Sequence, residues 1–186
     1  MYFCKKLKKM EQALKTRILI ISSIILLLSL LNIWFSQIPN FSPIAAMALF
    51  GGAYLNEKKM ALLIPLAALF LSDLFIGVHS FMWAVYLSFA IIVFIGSKIK
   101  KPSFLNVVGA SLTSSLLFFL VTNFAVWFQG GYYPMNVGGL FSCYEMAIPF
   151  FQNTLLGDLV FISSIFSLYH LAKIQFPVLD KNYISK

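Results

Sequence analysis

The chain has 186 residues, of which 60% are hydrophobic and 11% charged, against roughly 45–50% and about 25% in an ordinary soluble domain. A membrane helix takes about 20 mostly apolar residues to cross a hydrocarbon core about 30 Å thick, so this length supplies roughly five to seven crossings and excludes a separate soluble catalytic domain. The formal charge of +8 comes from 14 Lys and Arg against 6 Asp and Glu, but the basic residues stand in short clusters between apolar runs, which marks them as topology signals and not a nucleic-acid surface.

In chain order, apolar stretches run over 18–35, 43–55, 60–77, 81–96, 104–128 and 147–172. They predict an all-α polytopic membrane bundle of six transmembrane helices, a single domain over 1–186. Residues 1–17 form a basic N-terminal segment and residues 129–146 a long outer loop. The second stretch is short and rich in Ala and Gly, which points to a tilted, tightly packed or partly re-entrant helix. The first stretch is 18 residues long and ends in Leu31-Asn32-Ile33-Trp34-Phe35. That ending lacks a small-x-small cleavage pattern, so an uncleaved first helix is expected rather than a signal peptide.

Lys and Arg in short loops are retained on the cytoplasmic side. Lys5, Lys6, Lys8, Lys9, Lys15 and Arg17 precede the first stretch, and Lys58 and Lys59 follow the second. Lys98, Lys100 and Lys101 follow the fourth, and Lys173, Lys181 and Lys186 follow the sixth. The connections 36–42, 78–80 and 129–146 contain neither Lys nor Arg. Every basic residue is therefore cytoplasmic if there are six crossings and both termini are inside. This topology places Cys4 and Cys143 on opposite sides of the membrane, so no disulfide is expected.

With that orientation the outer half collects hydrogen-bonding and aromatic side chains, among them Asn32, Asn40, Ser72, His79, Tyr86 and Gln129. Asp73 and Asp158 stand within spans, where an ionisable group costs at least about 2.5–3.5 kcal/mol and normally faces a cavity, a polar partner or an ion path. No Lys or Arg lies within any span, so a cationic ligand or a proton is a candidate counter-charge. The alternative is that hydroxyl, amide or backbone donors hold each acid and fix helix packing. The candidate ligand-binding set is Asp73, Asn123 and Asp158, with Trp83, Trp127, Tyr132, Tyr133 and Tyr144 stacking over the ligand, and Glu145 and Asn153 beside them. Two Gly-Gly pairs and Pro134 within 129–146 suggest a lid; an anchoring aromatic belt and a plain connector are the competing readings.

No HExxH, CxxC, GxSxG or GxxxxGK stretch occurs, so an enzyme is not expected, and neither is a cofactor or metal. Gly157-Asp158 lacks the preceding Gly of intramembrane aspartyl proteases, since position 155 is Leu. Ala48-x-x-x-Gly52 and Ser111-x-x-x-Ser115 allow close helix approach, either for internal packing or for docking a second membrane subunit.

The stretch 40–54, with Pro65 to Asp73, Thr122 to Trp127, Tyr133-Pro134, Gly139-Leu140, Cys143-Tyr144 and Pro149 to Asp158, resembles an uncharacterised family of small bacterial integral-membrane proteins, with no activity attached. More distantly, the six helices, cytoplasmic termini, Gly-rich second span and polar outer mouth resemble the substrate-binding S components of energy-coupling-factor vitamin transporters. That resemblance implies capture of a vitamin-like solute from the outside and docking onto a transmembrane coupling subunit with two ATPases. The family's first helix carries an Ala-x-x-x-Ala docking face, whereas no Ala occurs here between positions 18 and 35. The expectation is a multi-pass protein of the bacterial plasma membrane that binds a small molecule from the outer side and no nucleic acid. The alternatives are a self-sufficient proton-coupled carrier and a structural membrane protein without a ligand.

Overall fold

The computed structural model describes residues 2–55, 57–78, 80–99 and 102–179, the side chains of residues 2–6 and 9 excepted. His79, Lys100, Lys101, Lys181 and Lys186, invoked above, lie outside the described residues, as do the side chains of Cys4, Lys5, Lys6 and Lys9. The described chain is all-helical: α1 (Tyr2–Phe35), α2 (Ile44–Tyr54), α3 (Lys58–Ile76), α4 (Met82–Ser97), α5 (Phe104–Gln129) and α6 (Val137–Gln175), followed by a 3-10 turn at Pro177–Leu179. Within α1, α3, α5 and α6 lie segments long and apolar enough to cross a membrane, whereas α2 and α4 are shorter apolar helices. Large apolar side chains stand on the outside of the bundle, with Leu19 68%, Phe75 76%, Leu105 79% and Phe141 71% exposed. Such an outward apolar surface suits lipid, not water, and is the mark of a membrane protein.

The shortest helix is the core. All of α2 from Ala45 to Tyr54 is buried, and α1, α3, α4, α5 and α6 all pack against it, α4 most extensively. Eleven residues rise about 16 Å, roughly half the hydrocarbon thickness, so α2 on its own does not span a bilayer core. Its small residues explain the crowding. A Cβ on Gly96 would stand 2.5 Å from the Leu49 carbonyl oxygen, and one on Gly52 would overlap the carbonyl oxygen of Val93. Backbone therefore touches backbone where α2 crosses α4. Gly51 fits the notch at Pro65 of α3, whose Cγ would lie 2.6 Å from an added Cβ. Ala48, Gly52, Ser111 and Ser115 are all buried, so both small-x-x-x-small pairs pack internally, and they offer no outer face to a second subunit.

Helix directions follow from paired side chains. Ser29 Oγ donates to the Ala68 carbonyl at 2.6 Å, and Asn32 Nδ2 donates to Ser72 Oγ at 2.8 Å, so α1 and α3 run parallel. Ser115 meets Asp158 while Tyr144 meets Leu120, so α5 and α6 run antiparallel. The resulting up-and-down bundle brings Lys58 and Lys59 at the start of α3, Lys98 at the end of α4 and Lys173 in the last turn of α6 to one end. The ends of α1, α3 and α5 lie at the other.

Two boundaries differ from the sequence reading. Helix α1 continues back through the basic segment to Tyr2. Helix α6 begins at Val137 and not near 147, which reduces the predicted 129–146 loop to a turn over 130–136. The cause is a cap: the Asn136 side chain accepts from Gly139 N at 2.8 Å, a pairing that supplies one of the first-turn donors. Gly138 and Gly139 cost little in that first turn, and Gly139 gains a backbone-close contact with Pro134 that a Cβ would block.

Candidate functional site

The half of the bundle away from the lysines holds a half-open cavity of about 350 Å³. Asn32 and Phe35 of α1 line it, with Leu69, Asp73 and Ile76 of α3, Phe81 just before α4 and Val85 within α4. From α5 come Phe118, Thr122, Asn123 and Val126, and from α6 come Thr154 and Asp158. The remaining wall is the α1–α2 connection, which contributes Ser36, Ile38, Asn40, Phe41 and Ser42, followed by Ile44 and Ala45 at the start of α2.

Each acid is held by a hydroxyl. Asp73 is 9% exposed and its Oδ2 accepts from Tyr86 Oη at 2.8 Å. Asp158, 3% exposed near the middle of α6, accepts from Ser115 Oγ at 2.5 Å through Oδ2. Ser115 is its hydrogen-bond partner among the described residues, and Oδ1 has none there. The Ser115 hydroxyl has one proton, so its second acceptor at 3.0 Å, the Ser111 carbonyl oxygen, competes with the carboxyl. Asn123 spends its Nδ2 on the Phe119 carbonyl one turn back, at 2.8 Å.

The α1–α2 connection is a wall because it is pinned to α6. Asn153 Nδ2 donates to the Pro39 carbonyl at 3.0 Å. Phe41 packs on Phe161 with centroids 5.4 Å apart and on Phe35 at 5.6 Å. Gly157 lets this segment approach: a Cβ there would meet Ser42 N at 3.2 Å and Phe41 Cδ2 at 3.3 Å. Asn40 takes φ 59°, a left-handed conformation that Asn tolerates better than most residues. Asn153, expected beside a ligand, thus holds the chain that shapes the cavity.

Asp73, Asn123 and Asp158 of the predicted set meet in one cavity; the aromatic members of the set do not line it. Trp83 Nε1 donates to Gln129 Oε1 at 2.8 Å and ties α4 to the end of α5. Trp127 Nε1 donates to the Pro134 carbonyl at 3.0 Å, and Tyr144 Oη donates to the Leu120 carbonyl at 2.7 Å. Tyr132 is 76% exposed, Tyr133 is half-buried and Glu145 is exposed. A ring with an apolar body and one satisfied polar tip at the end of a helix is the arrangement of a membrane-interface anchor.

Thr122 and Thr154 belong to the lining but were missed in the sequence reading. The signal was present: Thr154 lies one turn before Asp158, and Ser115, Phe118, Thr122 and Val126 recur at helical spacing along one face of α5. Among the described residues no group of three His, Cys, Asp or Glu side chains could hold a metal ion. No curated protein and no solved structure matches the chain. Residues 12–179 match the profile of a family of unknown function (DUF6580), and the chain belongs to that family.

Proposed function

We propose that the protein crosses a bacterial plasma membrane six times, with both termini cytoplasmic, and binds a small solute in a cavity open to the outside, as the capture subunit of an importer resembling an energy-coupling-factor S component. One observation carries this reading: Asp73, Asn123 and Asp158, far apart in sequence, share a cavity of about 350 Å³ at the end of the bundle opposite Lys58, Lys59, Lys98 and Lys173. A volume near the lower bound for small-molecule sites, roughly 300–1,000 Å³, suits a compact ligand. Short α2 takes part in crossing by continuing the irregular backbone of 36–43, which is tolerated at depth where it lines a polar cavity. A transmembrane coupling subunit with ATPases would supply the energy.

Thermal unfolding of the purified protein in detergent, across a panel of water-soluble micronutrients, tests the reading. A ligand at one hundred times its Kd adds about 2.7 kcal/mol, which raises Tm by roughly 5–10 °C in a chain of this size, and Asn123→Ala should reduce the gain. A flat response across the panel overturns capture in favour of a ligand-free structural role. Asp158, buried midway along α6, also suits a proton-coupled carrier; uptake into liposomes driven by a pH gradient without ATP selects that alternative.

A further inference from the structure

We infer that the cavity selects a small organic cation, a class that deepens the solute-capture reading and rests on it. Two carboxyl groups line the cavity, and among the described residues no Lys, Arg or His does. Asp158 keeps Oδ1 without a described partner although the residue is 97% buried by accessible area. An arriving cation favours the ionised carboxyl and supplies the opposite charge that the lining lacks. Opposing positive potential on the lining comes from the starts of α2, at Ile44 and Ala45, and of α4, at Phe81 and Val85; at about half an elementary charge each, the two together offset about one of the two acids.

Size and surface decide against a bare metal ion. About 350 Å³ holds on the order of ten waters at roughly 30 Å³ each. Phe35, Phe41, Phe81 and Phe118 supply ring surface on the same lining, which attracts an ammonium group through cation–π contact and covers an apolar body. An amine or quaternary ammonium carried on a small apolar frame meets both requirements.

The test places a thiol on the cavity wall and asks which charge reaches it. In a chain carrying Cys4→Ser and Cys143→Ala, Thr122→Cys is exposed from outside the membrane to trimethylammonioethyl and sulfonatoethyl methanethiosulfonate, each rate divided by its rate with free 2-mercaptoethanol. The expected result is at least a tenfold preference for the cationic reagent, shrinking severalfold with Asp158→Asn, and slowing of the reaction by 2-phenylethylammonium but not by 2-phenylethanol or equimolar sodium. Equal normalised rates overturn cation selectivity while leaving an accessible cavity and the capture reading intact. Protection by sodium alone overturns the organic class. If neither reagent reacts from outside while the same thiol reacts in denaturant, the cavity is closed to the outer side and both readings fall. The parent comparison needs no substitution at Asp158, so poor folding of that variant does not remove the test.

Discussion

The two ends of α2 meet opposite fates. At its C-terminal end Gly51 admits the Pro65 ring of α3 and Gly52 lets α4 close to backbone contact, and Phe50 and Tyr54 pack edge-on or tilted with Phe166 and Tyr169 at centroid distances of 4.3–5.8 Å. At its N-terminal end, after Pro43, the same helix borders a cavity of about 350 Å³. A dry apolar void of that volume would cost about 8 kcal/mol at roughly 24 cal/mol per Å³, comparable to the whole stability of a domain. A chain that packs to atomic contact within three helical turns does not carry such a void by default. Its polar lining, Asn32, Asp73, Thr122, Asn123, Thr154 and Asp158, allows water to occupy it.

The largest effect should come from breaking the packed end. Gly52→Val places a side chain where the Val93 carbonyl oxygen stands, and overpacking against backbone, which cannot rotate away, should cost about 3 kcal/mol. Denaturant unfolding in detergent measures it, and a cost below about 1 kcal/mol would mean that α2 and α4 are not in contact there. At the open end, Tyr86→Phe removes the hydroxyl that donates to Asp73 at 2.8 Å. Hydrogen bonds to charged groups contribute about 1.5–3 kcal/mol, and the half-buried position of Tyr86 places the expected loss near the lower figure. The same variant should alter modification of a cavity thiol, whereas a role confined to helix packing would leave the rate unchanged.

How much of this was readable follows from what the physics makes local. Apolar runs announce helices because hydrocarbon tolerates little else, and Asp73, Asn123 and Asp158 stand out because burying them without a cavity or partner is costly. The crowding of Ala and Gly pointed to a tilted, packed or partly re-entrant α2, and the helix is packed on all sides. The long lid did not survive, because Gly-Gly pairs read as loop chemistry while the Asn136 cap and the Gly139–Pro134 contact start α6 ten residues early. The true wall, 36–43, was illegible as such: what fixes it is a bond between Asn153 and Pro39, 114 positions apart, and a ring contact between Phe41 and Phe161. That the aromatic members of the set lie off the cavity lining was hidden for a related reason. Sequence shows that an indole sits near the end of an apolar run but not that Gln129 or the Pro134 carbonyl already satisfies its N–H.

The contrast between the two connections gives smaller and sharper tests. Asn153→Ala removes a neutral hydrogen bond to Pro39, worth about 1 kcal/mol, and the expected consequence beyond stability is a looser wall, read as faster modification of Ile38→Cys on the 36–43 segment. An unchanged rate would mean that Phe41 against Gly157 and Phe161 holds the segment alone.

The smallest effect is expected at the turn that composition favoured as a lid. Tyr132 is 76% exposed, does not line the cavity and stands between the end of α5 and the cap of α6. Tyr132→Ala should therefore change stability by less than about 0.5 kcal/mol, the usual range for surface positions. It should also leave the modification rate at Thr122→Cys unaltered. If instead that rate rises severalfold, the 130–136 turn closes over the mouth in some populated state. The cavity would then have two moving walls, and 130–136 would shape it as 36–43 does. Trp127 makes the unchanged outcome the expected one, because its indole bond to the Pro134 carbonyl at 3.0 Å ties this turn back onto α5, and none of residues 130–136 lines the cavity.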